Sequence, residues 1–293
     1  MSKREEVYCH YYRIAGITIK VESDIPITDE TFYPRFDLFR VEGPGEENAI
    51  FRHHFSIPNI DDWSLGKLVY NRLPWNVYRN EDSWTYLGVT PYESDDTIWK
   101  VAVFSDDHTR GEIYSLGDKV VLHMLTSFPS DQIIIARMLA DKEACYLHSS
   151  GMIIDGAGLA FVGHSDVGKS TMLKLLNGKG KILCDDRNIV RKHPDGFKLH
   201  GSWSHGEIAI VSPSSAPLKA IMFLQQSKEN RVTPLYDKRE IMKRLLACMA
   251  KPVLTADWWE KMMNLVEKMI DEVPFYIVEF DKSGKIVDSI MNL

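Results

Sequence analysis

The sequence predicts an α/β protein in which a β-rich region over residues 1–128 precedes an α/β domain with a mixed sheet over residues 129–293. Three observations carry that prediction. Aromatic and β-branched residues alternate near period two through the first part of the chain. Helical spacing sets in after Pro129. An apolar strand pattern, "GLAFVG", then runs straight into a glycine loop and a helix-like "STMLKLLNG".

The first region is read from "VYCHYYRIAGITIKVES", "AIFRHHFSI", "WNVYRNEDSWTYLGV" and "IWKVAVF". Turn-forming clusters such as "EGPGEEN" and "NEDS" separate these strands. No catalytic motif lies within them. His53 and His54 are adjacent, so a strand sends them to opposite faces and they do not share a metal.

After Pro129, Ser130 is a good N-cap and Asp131 suits the positive end of a helix. Ile133, Ile134, Arg137, Met138 and Leu139 continue at helical spacing, which predicts a helix of about a dozen residues. "ACYLHSSGMIIDGAGLAFVGH" then reads as two strands joined at Asp155-Gly156, a hairpin dipeptide between apolar runs. Near the end of the chain, Thr255 caps a helix whose Trp258, Met262, Leu265, Val266 and Met269 form a core-facing stripe. The closing "FYIVEF", "DKSG" and "KIVDSI" read as a hairpin.

Composition restricts the function classes. With 293 residues, 44% apolar and 26% charged, the chain is an ordinary folded protein rather than a disordered or fibrous one. A net charge of -6 without basic runs argues against nucleic acid as a partner. Cys9, Cys145, Cys184 and Cys248 lie far apart with no CxxC pair, so neither a disulfide framework nor a zinc site is expected. No stretch has the apolar length of a signal h-region or a membrane-spanning helix, so no membrane association and a cytoplasmic location, bacterial or archaeal in style, are expected.

The chemistry is concentrated in "GHSDVGKST", Gly163, His164, Ser165, Asp166, Val167, Gly168, Lys169, Ser170 and Thr171. It satisfies the G-x-x-x-x-G-K-[ST] pattern of the Walker A loop, and the strand before and helix after it supply the required context. Glycines let successive backbone N–H groups turn inward around phosphate oxygens. Lys169 is placed for the β and γ phosphates of ATP, and the Ser170 hydroxyl for Mg²⁺. Just downstream, "KILCDDRNIVR" is a short apolar strand ending in Asp185 and Asp186. Two carboxylates there permit a division of labour, one on the metal and one taking a proton from an incoming hydroxyl.

Over about residues 145 to 225 these motifs resemble the HPr kinase/phosphorylase catalytic domain, which is related to ATP-dependent phosphoenolpyruvate carboxykinase. The resemblance lies in "LHSSGMIIDGAGLAFVGHSDVGKS" and "ILCDDRNIVR": His148 opening the strand, Asp155 in the turn, the loop, then Asp185-Asp186. It implies a P-loop kinase fold, with His148 assisting an aspartate base and Ser170 with an aspartate holding Mg²⁺. On that reading Asp185 leans toward the base and Asp186 toward the metal. The family's glycine-rich stretch after the acids is replaced by "LHGSWSHGEIAIVSPSSAPLKAIMFL", which leaves HPr itself and the reverse phosphorylase reaction outside what the resemblance implies. Glu207 in that segment is a further candidate metal or substrate ligand, and Lys219, Arg187 and Arg191 are candidates for neutralising phosphate charge.

The expectation is therefore an ATP- and Mg-dependent kinase acting on a hydroxyl of a protein, peptide or small molecule, with serine the expected acceptor. Two other readings compete: a carboxykinase-like enzyme, and a catalytically silent nucleotide sensor or scaffold. An intact Lys169, Ser170 and Asp185-Asp186 set count against the silent module. Some members of the resembled family are hexamers, so a homo-oligomer is compatible with the resemblance.

Overall fold

The structure, a computed structural model, describes residues 8–90, 98–115, 131–253 and 257–293. Ser130 and Thr255, the expected helix caps, lie outside these residues. The chain divides into two compact units, Met1–Met138 and Leu139–Leu293. It is mixed α/β and mostly strand.

The first unit carries β1 (Tyr8–Ile14), β2 (Ile17–Ser23), β3 (Arg40–Val41), β4 (Glu47–His54), β5 (Lys67–Arg72), β6 (Trp75–Arg79), β7 (Ser83–Val89), β8 (Ile98–Ser105) and β9 (Arg110–Ser115). They form one sheet in the order β3-β1-β2-β4-β9-β8-β7-β6-β5. The pairing is antiparallel except that β4 runs parallel to both β2 and β9. β1 and β2 are joined at Ala15-Gly16, both at positive φ (49° and 87°), which matches the twist of a two-residue hairpin. Along β4 the alternation buries Ala49, Phe51 and His53 and leaves His54 on the other side. There the His54 ring lies between the carboxylates of Asp24 (Nδ1–Oδ2 2.5 Å) and Glu112 (Nε2–Oε2 2.6 Å).

α1 (Asp131–Ala140) crosses the division between the units. The second unit continues with β10 (Ala144–Ile154), β11 (Ala157–Val162), α2 (Lys169–Leu175), β12 (Lys181–Cys184), β13 (Arg187–His193), β14 (Gly196–His200) and β15 (Ser215–Gln226). It closes with β16 (Arg231–Pro234), α3 (Lys238–Cys248), α4 (Trp258–Glu272), β17 (Phe275–Phe280) and α5 (Ile286–Met291). The sheet order is β11-β10-β13-β14-β15-β17-β16, with β12 beside β10. β11 also pairs in parallel with β15, so β11, β10, β13, β14 and β15 close on themselves.

Asp155 and Gly156 form the hairpin turn between β10 and β11 at φ 50° and 78°, the left-handed region that a type I′ turn demands of both central residues. β11 is buried on both faces. Leu159 and Phe161 pack with Met172 and Leu173 of α2 and Ile286 of α5. Ala160 and Val162 pack on the other side with Leu245 of α3 and Met262 and Leu265 of α4. A strand covered on both faces has no polar side to show, which is why "GLAFV" reads as a continuous apolar run. In α4, Trp258, Met262, Leu265, Val266 and Met269 are the buried positions, the expected stripe.

The closing hairpin does not form. "FYIVEF" is β17, parallel to β15 and antiparallel to β16, but "KIVDSI" enters the helix α5. Ile286 and Ile290, one helical turn apart, are both buried against the α2 side of the sheet, and that burial overrides the local β-branched preference.

No helix among the described residues is long and apolar enough to cross a membrane.

Candidate functional site

The loop 163–168 leaves the carboxyl end of β11 at the centre of the second unit's sheet and enters α2 at Lys169. Two glycines are required by geometry. Gly168 adopts φ 108°, and a Cβ there would sit 2.8 Å from Phe280 Cζ. A Cβ on Gly163 would sit 2.5 Å from Val167 Cγ1. The loop is also braced from β15, whose Gln226 Nε2 donates to the Asp166 carbonyl at 2.6 Å. α2 is only seven residues long, so a phosphate grip here rests on the loop amides and on Lys169 more than on a helix field.

Lys169 is nearly buried, and its ammonium donates to the carbonyls of Gly163 (3.1 Å) and His164 (2.9 Å). Burial pulls its pKa down from the ordinary lysine value, and the carboxylates of Asp186 and Asp185 act against that. An ammonium folded onto its own loop's carbonyls is satisfied for the moment and free to exchange them for phosphate oxygens, which are stronger acceptors.

A cleft of about 420 Å³ opens beside the loop. His148, Lys169, Ser170, Asp185, Asp186 and Glu207 all line it, together with Ser165, Asp166, Gly168 and Thr171. The sequence-predicted residues from four separate segments thus meet at one place. β12 supplies the acids: paired to β10, it ends at Cys184 and hands the chain to Asp185-Asp186 next to the strand that carries His148.

The two aspartates have different surroundings. Asp185 is 2% exposed, and its Oδ2 accepts from the Ile208 amide at 2.9 Å while Oδ1 has no hydrogen-bond partner among the described residues. Gly206 lies tight against it, since a Cβ there would be 2.6 Å from the Asp185 carbonyl oxygen. Asp186 is more open: Arg187 Nη1 donates to its Oδ2 at 2.6 Å, and His148 Nε2 stands 3.5 Å from its Oδ1. The carboxylate beside His148 is therefore Asp186, whereas the sequence reading leaned to Asp185 as the histidine-assisted base. The reason is the turn after β12, which carries one acid inward under the 206–208 segment and leaves the next facing β10. Burial lowers the His148 pKa first, the nearby Lys169 charge lowers it further, and Asp186 opposes both, so the neutral imidazole is favoured.

The other candidates sort clearly. Glu207 lines the cleft but is exposed and paired with Lys174 of α2. Arg187 reaches the site through Asp186. Arg191 and Lys219 do not line the cleft. Gln226 and Lys282 do, and sequence reasoning missed both. Gln226 had a faint signal, a polar pair ending the apolar strand "KAIMFLQQ"; Lys282 had none, because its position depends on β17 returning beside β15.

The residues fit a magnesium nucleotide. Asp185 Oδ1 is a buried oxygen in want of a partner, and Ser170 and Asp186 share its cleft. No group of three His, Cys, Asp or Glu side chains that could hold a metal unaided occurs among the described residues. A cation here would draw its remaining ligands from phosphate oxygens and water, which is how Mg²⁺ is commonly bound.

Comparison with known proteins places the chain. The family model for the SynChlorMet cassette protein ScmC matches residues 117–293, more than half of the chain and all of the cleft's lining. The chain belongs to the ScmC family. This ScmC family member matches no curated protein in sequence. Among solved structures, it is similar to the HPr(Ser) kinase/phosphatase from Coxiella burnetii, at 12% identity and a TM-score of 0.29, over 50% of this chain and 87% of that one.

Proposed function

We propose that the chain is an ATP- and Mg-dependent phosphotransferase that moves the γ-phosphoryl group to a hydroxyl, a serine of a protein or peptide or the hydroxyl of a small molecule. The observation that carries this reading is the meeting, in one cleft, of a Walker A loop with an aspartate pair and a histidine beside one of its members. A nucleotide-binding module without chemistry needs the loop and one carboxylate for the metal, and has no use for a second carboxylate beside a histidine.

The geometry supports the following roles. The loop amides and Lys169 take the phosphates, Lys169 giving up the Gly163 and His164 carbonyls as it does so. Asp186, the open carboxylate, accepts the proton of the acceptor hydroxyl, and neutral His148 beside it is placed to relay that proton onward. The oxygen–phosphorus bond to the acceptor forms as the bond between the β,γ-bridging oxygen and the γ phosphorus breaks, and ADP leaves. Asp185 and Ser170 are the residues that would hold Mg²⁺, which when bound neutralises charge on the phosphates. This exchanges the two aspartates relative to the sequence-based division, on the ground that Asp185 is buried and short of a partner while Asp186 has the histidine.

The test is phosphate transfer from γ-labelled ATP with Mg²⁺ into fractionated bacterial lysate, beside Lys169→Ala and Asp186→Asn. A labelled acceptor that disappears with both variants supports the reading. Tight ATP binding with no transfer to any fraction would leave a nucleotide sensor in its place.

A further inference from the structure

A second cleft, also about 420 Å³, lies against the same loop and is lined by Val162 and the 163–167 backbone, Phe223 and Leu224 of β15, and Arg244 and Cys248 of α3. We infer that this cleft takes the nucleoside, a flat heteroaromatic base with its ribose, of the nucleotide whose phosphates lie on the loop. The inference rests on the phosphotransferase reading and adds to it where the donor's non-reacting part is held.

Topology supplies the first argument. β10 and β15 flank β11 on opposite sides. The aspartates follow β12, which pairs with β10, while Phe223 and Leu224 belong to β15. The catalytic cleft takes in Lys169, Ser170 and Thr171 at the start of α2, which covers one face of the sheet, while the second cleft takes in Arg244 and Cys248 of α3, which covers the other; the two meet at Ser165, Asp166 and Gln226, which line both. In phosphoryl transfer the attacking and leaving oxygens stand roughly in line on either side of phosphorus. An acceptor hydroxyl beside Asp186 occupies the catalytic cleft, so the leaving nucleoside diphosphate extends past Ser165 and Asp166 into the second.

Lining chemistry supplies the second. The catalytic cleft is bounded by Lys169, Lys282, Glu207 and the two aspartates, groups suited to phosphate, metal and proton transfer. The second is floored by apolar side chains and carries one planar cation. Arg244 has its guanidinium 5.6 Å from the Phe223 ring centroid, with Nε held by Glu240 Oε1 at 2.7 Å, so its plane is fixed. A fixed guanidinium over an apolar floor is a stacking platform for a base and tolerates any base, because all have a π face. The volume is in the range of small-ligand clefts.

The experiment is calorimetric titration of the full chain with two probes in the presence of Mg²⁺, ATP and inorganic tripolyphosphate, the second having phosphates and no nucleoside. Arg244→Ala is expected to weaken ATP by about tenfold or more, the scale of one lost base stack, and to leave tripolyphosphate within about twofold. Cys248→Phe, which fills the cleft from α3, is expected to do the same, and a thermal melt checks that each variant folds. ATP affinity unchanged in the folded variants, or both probes weakened equally, overturns the inference. Lys169→Ala distinguishes the failures: if it leaves tripolyphosphate binding intact, the loop does not grip phosphate and the phosphotransferase reading falls as well.

Discussion

Replacing Asp185 by Asn separates a functional carboxylate from a structural one. Asp185 is 2% exposed and has one oxygen bonded to the Ile208 amide and the other without a partner. Leaving a buried polar group unsatisfied costs about 1–3 kcal/mol, and more when it is charged. Asparagine keeps the shape and the Ile208 bond, and puts a neutral amide where the unpaired oxygen was. The substitution also gives up the attraction of Asp185 to Lys169, which offsets part of the gain. The net expectation is an unliganded protein that is more stable by about 1 kcal/mol, or about 2–4 °C for a unit of this size. Ligand reverses the order. At a MgATP concentration of about 100 times Kd, binding stabilises the wild-type protein by about 2.7 kcal/mol, and Asp185→Asn loses most of that increment because the metal's carboxylate is gone. Thermal melts of both proteins with and without MgATP read the four numbers. An unliganded variant destabilised by more than about 1 kcal/mol would refute the reasoning, since it would show the carboxylate satisfied in the fold and needed there.

Three further outcomes are expected. Gly168→Ala places a Cβ 2.8 Å from Phe280 Cζ at φ 108° and should cost about 1–2 kcal/mol in melts and abolish ATP binding by displacing the loop. Met262→Ala, at a fully buried position between α4 and the sheet, should cost about 2–5 kcal/mol by chemical denaturation with little change in ATP affinity once folded. The third is pH dependence: burial pushes the His200 pKa from 6.5 down to about 3, with the charges of His193, Arg191 and Lys198 acting the same way. The unfolded chain then binds a proton that the folded chain refuses, so stability is full above about pH 6.5 and falls as the pH drops toward 3, by about 2 kcal/mol at pH 5. Denaturation at pH 7 and pH 5 should show that loss reduced in His200→Gln, and an equal loss in both proteins would assign it elsewhere.

Local patterns were legible where a short stretch decides its own conformation. The Asp155-Gly156 turn, the α4 stripe and the Walker A loop each depend on residues within one or two turns of chain: two positive φ values, one buried helix face, and glycines at 163, where a Cβ would meet Val167, and at 168, held at φ 108°. α5 was not legible, because Ile286, Val287 and Ile290 favour a strand locally and are made helical by a core assembled from β11, β15 and α2. The division of work between Asp185 and Asp186 was hidden for the same kind of reason. Adjacent identical residues carry no sequence signal of which will be buried.

By itself the sequence determined that this chain has a glycine loop of the Walker A pattern between a strand and a helix, and that two carboxylates follow it at a strand's end. Backbone geometry and side-chain type are local properties, and these motifs consist of nothing else. Only the tertiary structure decided that His148 meets Asp186, that Asp185 lies beneath Gly206 and Ile208, that Lys282 and Gln226 join the cleft, and that a second cleft lies against the same loop. Those relations are set by which strands pair, and the parallel pairing of β11 with β15 is made by long-range burial between segments that stand far apart in the chain.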